Sequence, residues 1–373
     1  MYKVLVFGMT ENYGGVESVI TNYYKRFDHN KIHFDFICNM MDEIAYEKEL
    51  KEKYNCKFFK TVRKRENIIK YYAQLNHIFS EISKEYDCLW FNVNNLVNID
   101  CLKLAKKYGI KRIIVHSHNS QIMEEGLEGK VKNFLHNKHK KYIANYATDF
   151  WTCSSEAAEW LFPSAILPKV YWVKNAINIK RNEYSLSKRN YVRSKYNLEK
   201  SYVIGNVGRL HFQKNQMFML DILERLQNKI PNIKLILVGN GPDKDKLIKR
   251  AKELNVFDKV IFAGMQHDMQ AWYSSFDLFL FPSLFEGLGI ALLEAQANGL
   301  VVASSSNVPK DVKVNPNLHF LSLNKKVEYW AEKIQKFSQE DKRLFNKQIE
   351  FNFNQKGYNI DLAAKKLEKK FLE

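Results

Sequence analysis

Short apolar segments alternate with amphipathic segments along the whole chain of 373 residues. The strand-like segments form one series in the first half, at Lys3–Phe7, Phe34–Cys38, Cys88–Phe91, Arg112–His116, Phe150–Cys153 and Val170–Val173, and a second series at Tyr202–Val207, Lys234–Val238, Val260–Phe262, Leu278–Phe281 and Leu300–Ala303. Helical periodicity lies between them, at Val16–Phe27, Asn67–Lys84, Ile99–Tyr108, Met217–Asn228, Lys244–Leu254 and Ile290–Asn298. Nearly continuous apolar strands separated by amphipathic helices are typical of parallel sheets covered on both faces. The two series therefore predict an α/β protein with two doubly wound domains.

The two predicted domains meet at Lys180–Lys200, a polar and basic segment with few apolar residues that is typical of an exposed linker. We therefore expect one domain over residues 1–180 and another over 181–356. The segment Ile360–Leu372 predicts one more helix. In open α/β sheets ligands bind beyond the carboxyl ends of the strands, so two such sheets facing each other would form an interdomain cleft. The loops that follow the strands are the places to look for chemistry.

The composition restricts the class of protein. Hydrophobic residues make up 46% and aromatic residues 14% of the chain, which excludes a disordered protein. The 58 Lys and Arg against 41 Asp and Glu give a net charge of +17, which favours an anionic partner such as a nucleotide phosphate, a nucleic acid or an acidic membrane surface. The basic residues are dispersed and form no nucleic-acid-binding motif, so we expect no nucleic-acid partner.

The cysteines and the N-terminus bear on the compartment. Five cysteines are scattered without metal-ligand or redox spacing, which indicates buried thiols in a reducing cytoplasm. The apolar start, Met1–Met9, is too short for a signal peptide and predicts a first buried strand. No apolar run is long enough to predict a membrane span. We expect a cytoplasmic protein, either soluble or peripheral on a membrane.

The segment Glu286-Gly-Leu-Gly-Ile-Ala-Leu-Leu-Glu294 carries the most informative pattern. It follows the strand Leu278–Phe281 and runs into an apolar helix, so one carboxylate stands at the helix mouth and the second about two turns further along. The backbone amides of Gly287, Leu288 and Gly289 open that helix and suit a diphosphate, while the carboxylates suit sugar and ribose hydroxyls. A helix with an acidic first turn and one exposed Glu shows the same pattern.

Two loops of the first half also follow strands. Gly14 and Gly15 precede a helix and allow the backbone to approach a phosphate or a sugar, although a Gly pair is equally typical of a tight turn. No G-x-G-x-x-G motif is present, which argues against a dinucleotide site. His116 and His118 end a predicted strand, and no neighbouring Cys or acidic residue completes a metal site. We expect His118 to bind a substrate hydroxyl and His116 to pack or to orient the loop; a structural role for both is the alternative.

A basic loop follows the strand Tyr202–Val207. It begins at Gly208 and contains Arg209, which offers a planar fork of donors, and Lys214, which offers a compact charge. Both side chains can neutralise a diphosphate. A basic pair at a strand end is often only a solvated surface, but its place in the strand-to-helix crevice favours a function.

These motifs form a set in fixed order: G-G-V-E from Gly14, H-S-H-N from His116, G-R-L-x-x-x-K-N from Gly208 and P-S-x-x-E-G-x-G-x-x-x-x-E-A from Pro282. The set resembles the retaining glycosyltransferases of the GT-B fold in the large family 4, especially members that build bacterial capsular and exopolysaccharides. The resemblance covers essentially the whole chain. Its most specific part is the combination of Arg209, Lys214, Glu286 and Glu294.

The resemblance implies that the second domain binds a nucleotide-sugar donor. Arg209 and Lys214 would bind the diphosphate. Glu286 would accept hydrogen bonds from the donor sugar, and Glu294 would hold the ribose hydroxyls. The loop Ala263–Met265 would provide main-chain contacts to the base from Gly264 and Met265.

The resemblance also implies roles for the first domain, which would bind the acceptor. Gly14 and Gly15 would approach the phosphates, and His118 would line the sugar site. The end of the chain, residues 357–373, would cross back to pack on this first domain.

One segment departs from the family pattern, and a second resembles a motif of a different family. Many relatives have an N-G-V-D-like turn where this chain has Asn175-Ala176-Ile177-Asn178, so we assign no function there. Asp243-Lys-Asp245 mimics the D-x-D metal motif of a different glycosyltransferase fold. It stands at a predicted helix start, where aspartates serve as caps, so we expect a structural role and no metal or other cofactor.

The expected chemistry is the transfer of a sugar from a nucleotide-sugar. When the bond from C1 to the phosphate oxygen breaks, charge develops on the leaving diphosphate, and Arg209, Lys214 and the helix N-terminus would stabilise it. Retention of the anomeric configuration is inferred from the family. The sequence identifies no carboxylate nucleophile, and a front-face reaction, in which the leaving phosphate helps to deprotonate the acceptor hydroxyl, is the usual proposal for such enzymes.

Two basic stretches raise the question of a membrane. The first contains Lys60, Arg63, Lys64 and Arg65; the second contains Lys130, Lys132, Lys138, Lys140 and Lys141, with Phe134, Leu135 and Tyr142 between them. Basic segments with apolar neighbours can hold a protein on an anionic leaflet, which would suit an acceptor carried on a polyprenyl diphosphate. Solvated helix faces have the same composition.

The sequence thus predicts a retaining glycosyltransferase that uses a UDP-sugar and acts in the assembly of surface polysaccharides, transferring a hexose or an N-acetylhexosamine. The alternatives are another enzyme of the same architecture, such as a sugar-nucleotide epimerase, and a catalytically inactive nucleotide-sugar-binding protein. A phosphorylase would need a pyridoxal lysine and a much longer chain.

Overall fold

The computed structural model describes residues 1–124, 126–340 and 342–373. The strands are β1 (Tyr2–Phe7), β2 (Ile32–Cys38), β3 (Phe58–Lys60), β4 (Cys88–Val93), β5 (Arg112–Ser117), β6 (Asp149–Thr152), β7 (Tyr171–Trp172), β8 (Tyr202–Val207), β9 (Ile233–Val238), β10 (Val260–Gly264), β11 (Leu278–Phe281), β12 (Val301–Ser305) and β13 (Leu318–Leu321). The α-helices are α1 (Gly15–Tyr24), α2 (Glu47–Tyr54), α3 (Ile68–Ile82), α4 (Asp100–Lys107), α5 (Gly126–Lys140), α6 (Ser155–Leu161), α7 (Ile179–Asn182), α8 (Leu186–Lys195), α9 (Gln216–Leu226), α10 (Lys244–Glu253), α11 (Met269–Ser275), α12 (Ile290–Ala297), α13 (Val327–Glu340), α14 (Asn346–Lys356) and α15 (Ile360–Leu372).

The chain folds into two compact units. The first contains residues 1–176 and 360–373, and the second contains residues 177–359. These divisions lie at 176/177 and 359/360, compared with predicted boundaries at 180 and 357. The final helix, α15, spans the residues predicted for it and belongs to the first unit.

Each unit is built on one parallel sheet. The strand order is β3-β2-β1-β4-β5-β6-β7 in the first unit and β10-β9-β8-β11-β12-β13 in the second. In both sheets the order reverses beside the first strand, between β1 and β4 and between β8 and β11. This is the doubly wound topology, and it confirms the predicted fold class.

The core of the first unit lies on both faces of its sheet. On one face, strand residues such as Leu89 and Val115 pack with Leu75 and Phe79 of α3. The other face is closed by α15. Its Phe371 ring lies 5.3 Å from the Trp90 ring and 5.0 Å from the Trp151 ring, measured between centroids.

The second unit repeats this arrangement. Strand residues such as Leu235 and Leu237 pack with Leu223 of α9 and with Trp330 and Ile334 of α13. Burying apolar side chains of this size contributes about 1.5–3 kcal/mol each.

The prediction of an exposed linker at Lys180–Lys200 was wrong. This segment forms α7 and α8, and Arg193 is only 6% exposed. The guanidinium of Arg193 donates to the carbonyl oxygens of Ser275 (3.0 Å) and Leu198 (3.2 Å) and pairs with Asp277. Arg189 and Arg193 are therefore not part of a solvated surface, because they bind carbonyl groups and the carboxylate of Asp277 from a distant part of the chain.

The cysteines and the apolar character of the helices bear on the remaining sequence predictions. All five cysteines are buried and unbridged, as the sequence predicted. None of the helices in the described part of the chain is both long and apolar enough to cross a membrane.

Candidate functional site

The loops after β8 and β9 pass very close to each other at the carboxyl edge of the second sheet. Gly208 has φ +156° and Gly239 has φ +134°, and a Cβ atom at Gly239 would lie 2.1 Å from the carbonyl oxygen of Gly208. No side chain fits in that gap. Gly239, which opens the loop after β9, is therefore required by the close approach of two backbones, whereas a Cβ atom at Gly208 would meet only the Lys214 side chain, at 3.3 Å.

The basic loop is fastened to the loop that follows β11. The side-chain amide of Gln213 donates to the carbonyl of Phe285 (2.9 Å), and the carbonyl of Gln213 accepts from the backbone N–H of Leu284 (2.8 Å). Asn215, at φ +56°, donates from its side chain to the carbonyl of Pro282 (3.2 Å). These bonds hold the two predicted donor-binding loops in a fixed relation.

Lys214 and Glu286 meet between these loops. The Lys214 Nζ atom lies 2.6 Å from Glu286 Oε1, and the side chains are 17% and 7% exposed. The same Nζ lies 5.0 Å from the centre of the Phe281 ring, within range of a cation–π contact. The structure thus brings together a cation and a carboxylate that lie 72 positions apart in the sequence.

Arg209 stands beside this pair in the chain but in different surroundings. Its side chain is exposed, and in residues 1–124, 126–340 and 342–373 it forms no hydrogen bond or ion pair. Its backbone is held, since the carbonyl oxygen accepts from the side-chain amide of Gln216 (3.0 Å). The guanidinium is therefore available to a ligand on a fixed backbone.

The mouth of α12 has the geometry that the acidic segment predicted. Gly289 precedes the first helical residue at φ +89°, and Gly287 and Leu288 before it are buried. A Cβ atom at Gly289 would lie 3.1 Å from Leu292 Cδ1, so a larger residue would crowd the first turn as well as strain the backbone. The amides at this helix start are the predicted diphosphate donors.

Glu294 lies in the second turn of α12 and is half-buried. Its Oε2 atom accepts a hydrogen bond from the Tyr273 hydroxyl at 2.8 Å. Burial raises the pKa of the Glu294 carboxyl, while the Tyr273 hydrogen bond and the charge of Arg181 act in the opposite direction. The predicted ribose ligand is thus held in place by a residue that the sequence did not single out.

The predicted base-binding loop lies at the same edge. Gly264 ends β10 at φ +68°, and its carbonyl accepts from the backbone N–H of Gly239 at 2.9 Å. Met265 follows with its side chain 58% exposed. The predicted donor-binding residues of the second unit therefore follow β8, β10 and β11, which belong to one run of neighbouring strands, β10-β9-β8-β11.

In the first unit, Gly14 and Gly15 stand at the start of α1, but the helix mouth already contains a carboxylate. Glu17 is 5% exposed, and its Oε1 accepts from the hydroxyl (2.6 Å) and the backbone N–H (3.2 Å) of Thr10. A Cβ atom at Gly14 would lie 2.6 Å from Glu17 Oε2. Burial raises the pKa of Glu17. A diphosphate approaching these glycines would meet this acid.

His118 follows β5 and is oriented by a residue at the end of β4. The side-chain amide of Asn92 donates to the carbonyls of Phe7 (3.1 Å) and Trp90 (3.2 Å), which fixes its oxygen toward His118 Nε2 at 2.8 Å. Nε2 must therefore carry the proton, and Nδ1 is an acceptor. Burial lowers the pKa of His118 to about 3, so the ring is neutral.

His116 packs in the core. It is fully buried, its ring stacks at 5.8 Å on that of Trp90, and among the residues that the structure describes neither ring nitrogen has a hydrogen-bond partner. Burial lowers its pKa well below the ordinary value, with a smaller effect from His118. This geometry matches the packing role expected for this histidine.

The Asp243-Lys-Asp245 segment differs in detail from its prediction. Asp243 stands at the position before α10, but its side chain accepts no helix N–H and instead pairs with Lys246 at 3.1 Å. Asp245 lies in the first turn, where its charge complements the helix dipole. Within the described residues, no group of three or more His, Cys, Asp or Glu side chains is arranged to hold a metal ion.

The two basic stretches differ in their surroundings. Lys60 and Lys64 pair with Glu47 and Asp100 at 2.7 Å each, and Arg63 pairs with nearby acids. On α5, by contrast, the side chains of Leu127, Val131 and Phe134 are 79%, 52% and 68% exposed.

Several residues that shape these sites were not predicted: Thr10, Asn92, Gln213, Asn215 and Tyr273. Asn92 had a usable signal, because an amide inside the apolar run Cys88–Val93 must find partners. Tyr273 had none, since a Tyr on an amphipathic helix is ordinary core composition.

Two parallel doubly wound units, with the candidate residues of the second gathered at the carboxyl edge of its sheet, define the GT-B class of architecture. HepE from Anabaena, solved with UDP and glucose, superposes with a TM-score of 0.74 at 16% identity, over 100% of this chain and 96% of that one. Residues 188–354 match the family described as glycosyl transferases group 1. This part of the chain is therefore similar to glycosyl transferases group 1 domains.

Curated relatives extend the similarity over most of the chain. The putative glycosyltransferase EpsF of Bacillus subtilis is 26% identical over 329 residues, covering 87% of this chain and 84% of EpsF. The capsular polysaccharide biosynthesis glycosyltransferase CapH of Staphylococcus aureus is 27% identical over 276 residues, covering 72% of each chain. These matches confirm the resemblance to glycosyltransferases of the GT-B fold that act in capsular and exopolysaccharide assembly.

Proposed function

We propose that this protein is a retaining glycosyltransferase of the family 4 type. It would transfer a hexose or an N-acetylhexosamine from a nucleotide-sugar, with UDP as the first candidate nucleotide, to a glycan or a polyprenyl-diphosphate-linked acceptor. The family match and the names of EpsF and CapH support glycosyltransferase activity in polysaccharide assembly. The bound UDP of HepE supports the choice of nucleotide.

The observation that carries the proposal is the contact between Lys214 and Glu286 at 2.6 Å. A nucleotide-sugar presents a diphosphate that needs cations and a sugar whose hydroxyls need acceptors. In this unit the two needs are met by side chains of two loops that are hydrogen-bonded to each other. Arg209 supplies a second cation, and the α12 amides supply donors.

The reaction breaks the bond between C1 of the sugar and the phosphate oxygen and forms a bond from C1 to the acceptor oxygen. The electron pair of the broken bond stays on the diphosphate, where Lys214 and Arg209 stabilise it, and the proton of the acceptor hydroxyl passes to the leaving phosphate oxygen in a front-face reaction. Preorganised charges of this kind commonly contribute about 3–4 kcal/mol each to the stability of the transition state. We propose that Glu286 binds the sugar, and that His118 accepts a hydrogen bond from a substrate hydroxyl.

The test is a calorimetric and thermal-shift screen of the protein against UDP, GDP, ADP, CMP and NAD. We expect one nucleoside diphosphate to raise the melting temperature selectively, because a ligand that binds only the native state stabilises it by mass action. Lys214→Ala should abolish this shift. The matched control is Lys249→Ala, an exposed lysine on α10 of the same unit. Indifference of the wild-type protein to every nucleotide would overturn the assignment.

The product of the reaction distinguishes a transferase from the two alternatives, a sugar-nucleotide epimerase and an inactive binding protein. The transferase should consume the nucleotide-sugar only when an acceptor is added, and proton NMR of the product should show the anomeric configuration of the donor. An epimerase would convert the donor without acceptor, and a binding protein would leave it unchanged.

We also propose that the enzyme works in the cytoplasm at an anionic membrane surface, with no metal ion required. The exposed apolar residues of α5 and the neighbouring Lys130 and Lys138 support this contact. Flotation with vesicles containing anionic lipid should recover the protein, and Leu127→Ser with Phe134→Ser should abolish recovery. Recovery that is equal for both forms would exclude this surface.

A further inference from the structure

The Glu294 carboxylate has one oxygen engaged and one available. Oε2 accepts from the Tyr273 hydroxyl at 2.8 Å. Across the described ranges, Oε1 accepts no hydrogen bond from the protein. Tyr273 is the donor in this pair, so Oε1 stays available to accept from the hydroxyl groups of a ligand.

Tyr273 is placed by packing that leaves it little freedom. It is fully buried on α11, and its ring lies 6.2 Å from that of Phe276 and 5.7 Å from that of Phe279. A buried phenol that is fixed by neighbouring rings offers its hydroxyl in a single direction. The hydrogen bond therefore sets the rotamer of Glu294 and not the reverse.

A second group acts on the same carboxylate. Burial raises the pKa of Glu294, the Tyr273 hydrogen bond opposes this effect, and the charge of Arg181 on α7 opposes it to a smaller degree. Arg181 lies in the segment that resembled a linker. Two residues from two other helices thus oppose the effect of burial on this carboxyl.

We propose that Tyr273 is a positioning residue that holds Glu294 with one oxygen engaged and the other presented to the vicinal hydroxyls of a ribose. The proposal rests on the proposed nucleotide-sugar function and on Glu294 as the ribose ligand. Tyr273 itself touches no substrate. Its effect should appear only with nucleotides that carry both ribose hydroxyls.

The experiment compares UDP with 2′,3′-dideoxyuridine diphosphate by calorimetry on wild-type protein and on Tyr273→Phe. If the screen selects another base, the corresponding pair is used. We expect the wild type to prefer UDP, and Tyr273→Phe to lose about tenfold in UDP affinity, because a hydrogen bond to a charged group is removed. The affinity for the dideoxy analogue should not change.

The matched control is Tyr358→Phe, which removes another buried hydroxyl of the same unit, one that donates to the Asp311 carbonyl at 3.0 Å. It should change neither affinity. A purely structural Tyr273 would weaken both ligands equally in Tyr273→Phe, and that result would overturn the proposal.

The remaining outcomes separate the two proposals. If the wild type binds UDP and the dideoxy analogue equally, Glu294 is not a ribose ligand, and the positioning role is wrong while the function survives. If the wild type binds no nucleoside diphosphate, the function and the positioning role fail together.

Discussion

The two edges of the second sheet carry the same types of charged side chain in different surroundings. At the amino edge, Asp277 accepts from Arg189 (2.6 Å), from Arg193 and from the backbone N–H of Val203 (2.8 Å). Arg189 also donates to the carbonyls of Ser274 and Phe276, at the end of α11. These groups complete the hydrogen bonds of a helix terminus and a strand start.

At the carboxyl edge the charges are less enclosed by backbone. The guanidinium of Arg209 is exposed, and Lys214 binds a carboxylate that is itself a candidate ligand. The first sheet shows the same contrast. At its amino edge Arg112 donates to the carbonyls of Phe371 (2.8 Å) and Lys370 (3.0 Å), while its carboxyl edge carries the neutral pair of Asn92 and His118. In this fold, structural and functional charged residues differ mainly in what they bind, and less in whether they are arginine, lysine or a carboxylate.

The largest change in stability should follow from removing the carboxylate of Asp277 at the amino edge of the second sheet. Asp277→Ala leaves two arginines without their counter-charge, and breaking a largely buried ion pair in this way costs about 3 kcal/mol or more. We expect urea unfolding to show this loss. Nucleotide affinity per folded molecule should stay unchanged, and a stability equal to that of the wild type would contradict the structural role of this network.

Removing a charged residue at the carboxyl edge should have the opposite result, with little change in stability and a large loss of activity. Arg209→Ala removes a side chain with no partner in the described protein, so the free energy of unfolding should change by no more than about 0.5 kcal/mol. Turnover should fall about 100-fold, because the leaving diphosphate loses one preorganised cation. Steady-state kinetics beside urea unfolding measures both quantities.

The control for that experiment is Arg189→Ala, which should lower stability and leave turnover per folded molecule near the wild-type value. If the two arginine variants behaved alike, the distinction between the edges would be lost.

Much of the fold was predictable, because the strands bury both faces and their apolar runs are nearly continuous. The bounds of β8, β11 and α15 equal the predicted ones. The segment of α7 and α8 was misjudged because Arg189 and Arg193 bind groups 82–88 positions later, which no local pattern reveals. The short strands β3 and β13 were missed because Lys60 and His319 interrupt their apolar runs, whereas β11, also short, is wholly apolar.

The candidate site was predictable only in part, for a similar reason. Motifs placed Lys214, Glu286 and Glu294 after the right strands, since strand ends follow from hydrophobic patterns. The partners that orient functional side chains lie far away in sequence, 26 positions for Asn92 and His118 and 21 for Tyr273 and Glu294. Their contacts depend on tertiary packing.

In the first sheet, His118 should produce an effect of intermediate size on stability. Burial lowers the pKa of His118 to about 3, below the value of about 6.5 in an unfolded chain. Between these values the unfolded chain binds a proton that the folded protein refuses, so stability falls as the pH falls. From pH 7 to pH 5 this one residue should cost about 2 kcal/mol.

Urea unfolding at the two pH values checks this effect. His118→Gln should reduce the loss by that amount, although the buried His116 keeps its own contribution. His77→Gln, at an exposed position on α3, should leave the pH dependence of the wild type intact. An identical pH dependence in His118→Gln and wild type would show that His118 titrates normally.

The smallest effect concerns Glu294, where function and stability should oppose each other. Because burial raises the pKa of this carboxyl in the folded protein, its stabilising contribution is complete only at low pH and is lost as the pH rises through the folded pKa. At neutral pH the raised pKa of this carboxyl is therefore a cost to the ligand-free fold. Glu294→Gln should raise the melting temperature of the free protein slightly and abolish the shift that a nucleotide produces. The difference in melting temperature between variant and wild type should shrink as the pH is lowered.

A variant less stable than the wild type at neutral pH would contradict this prediction. It would mean that Tyr273 and Arg181 more than offset the burial of this charge, and that Glu294 stabilises the carboxyl edge of the sheet.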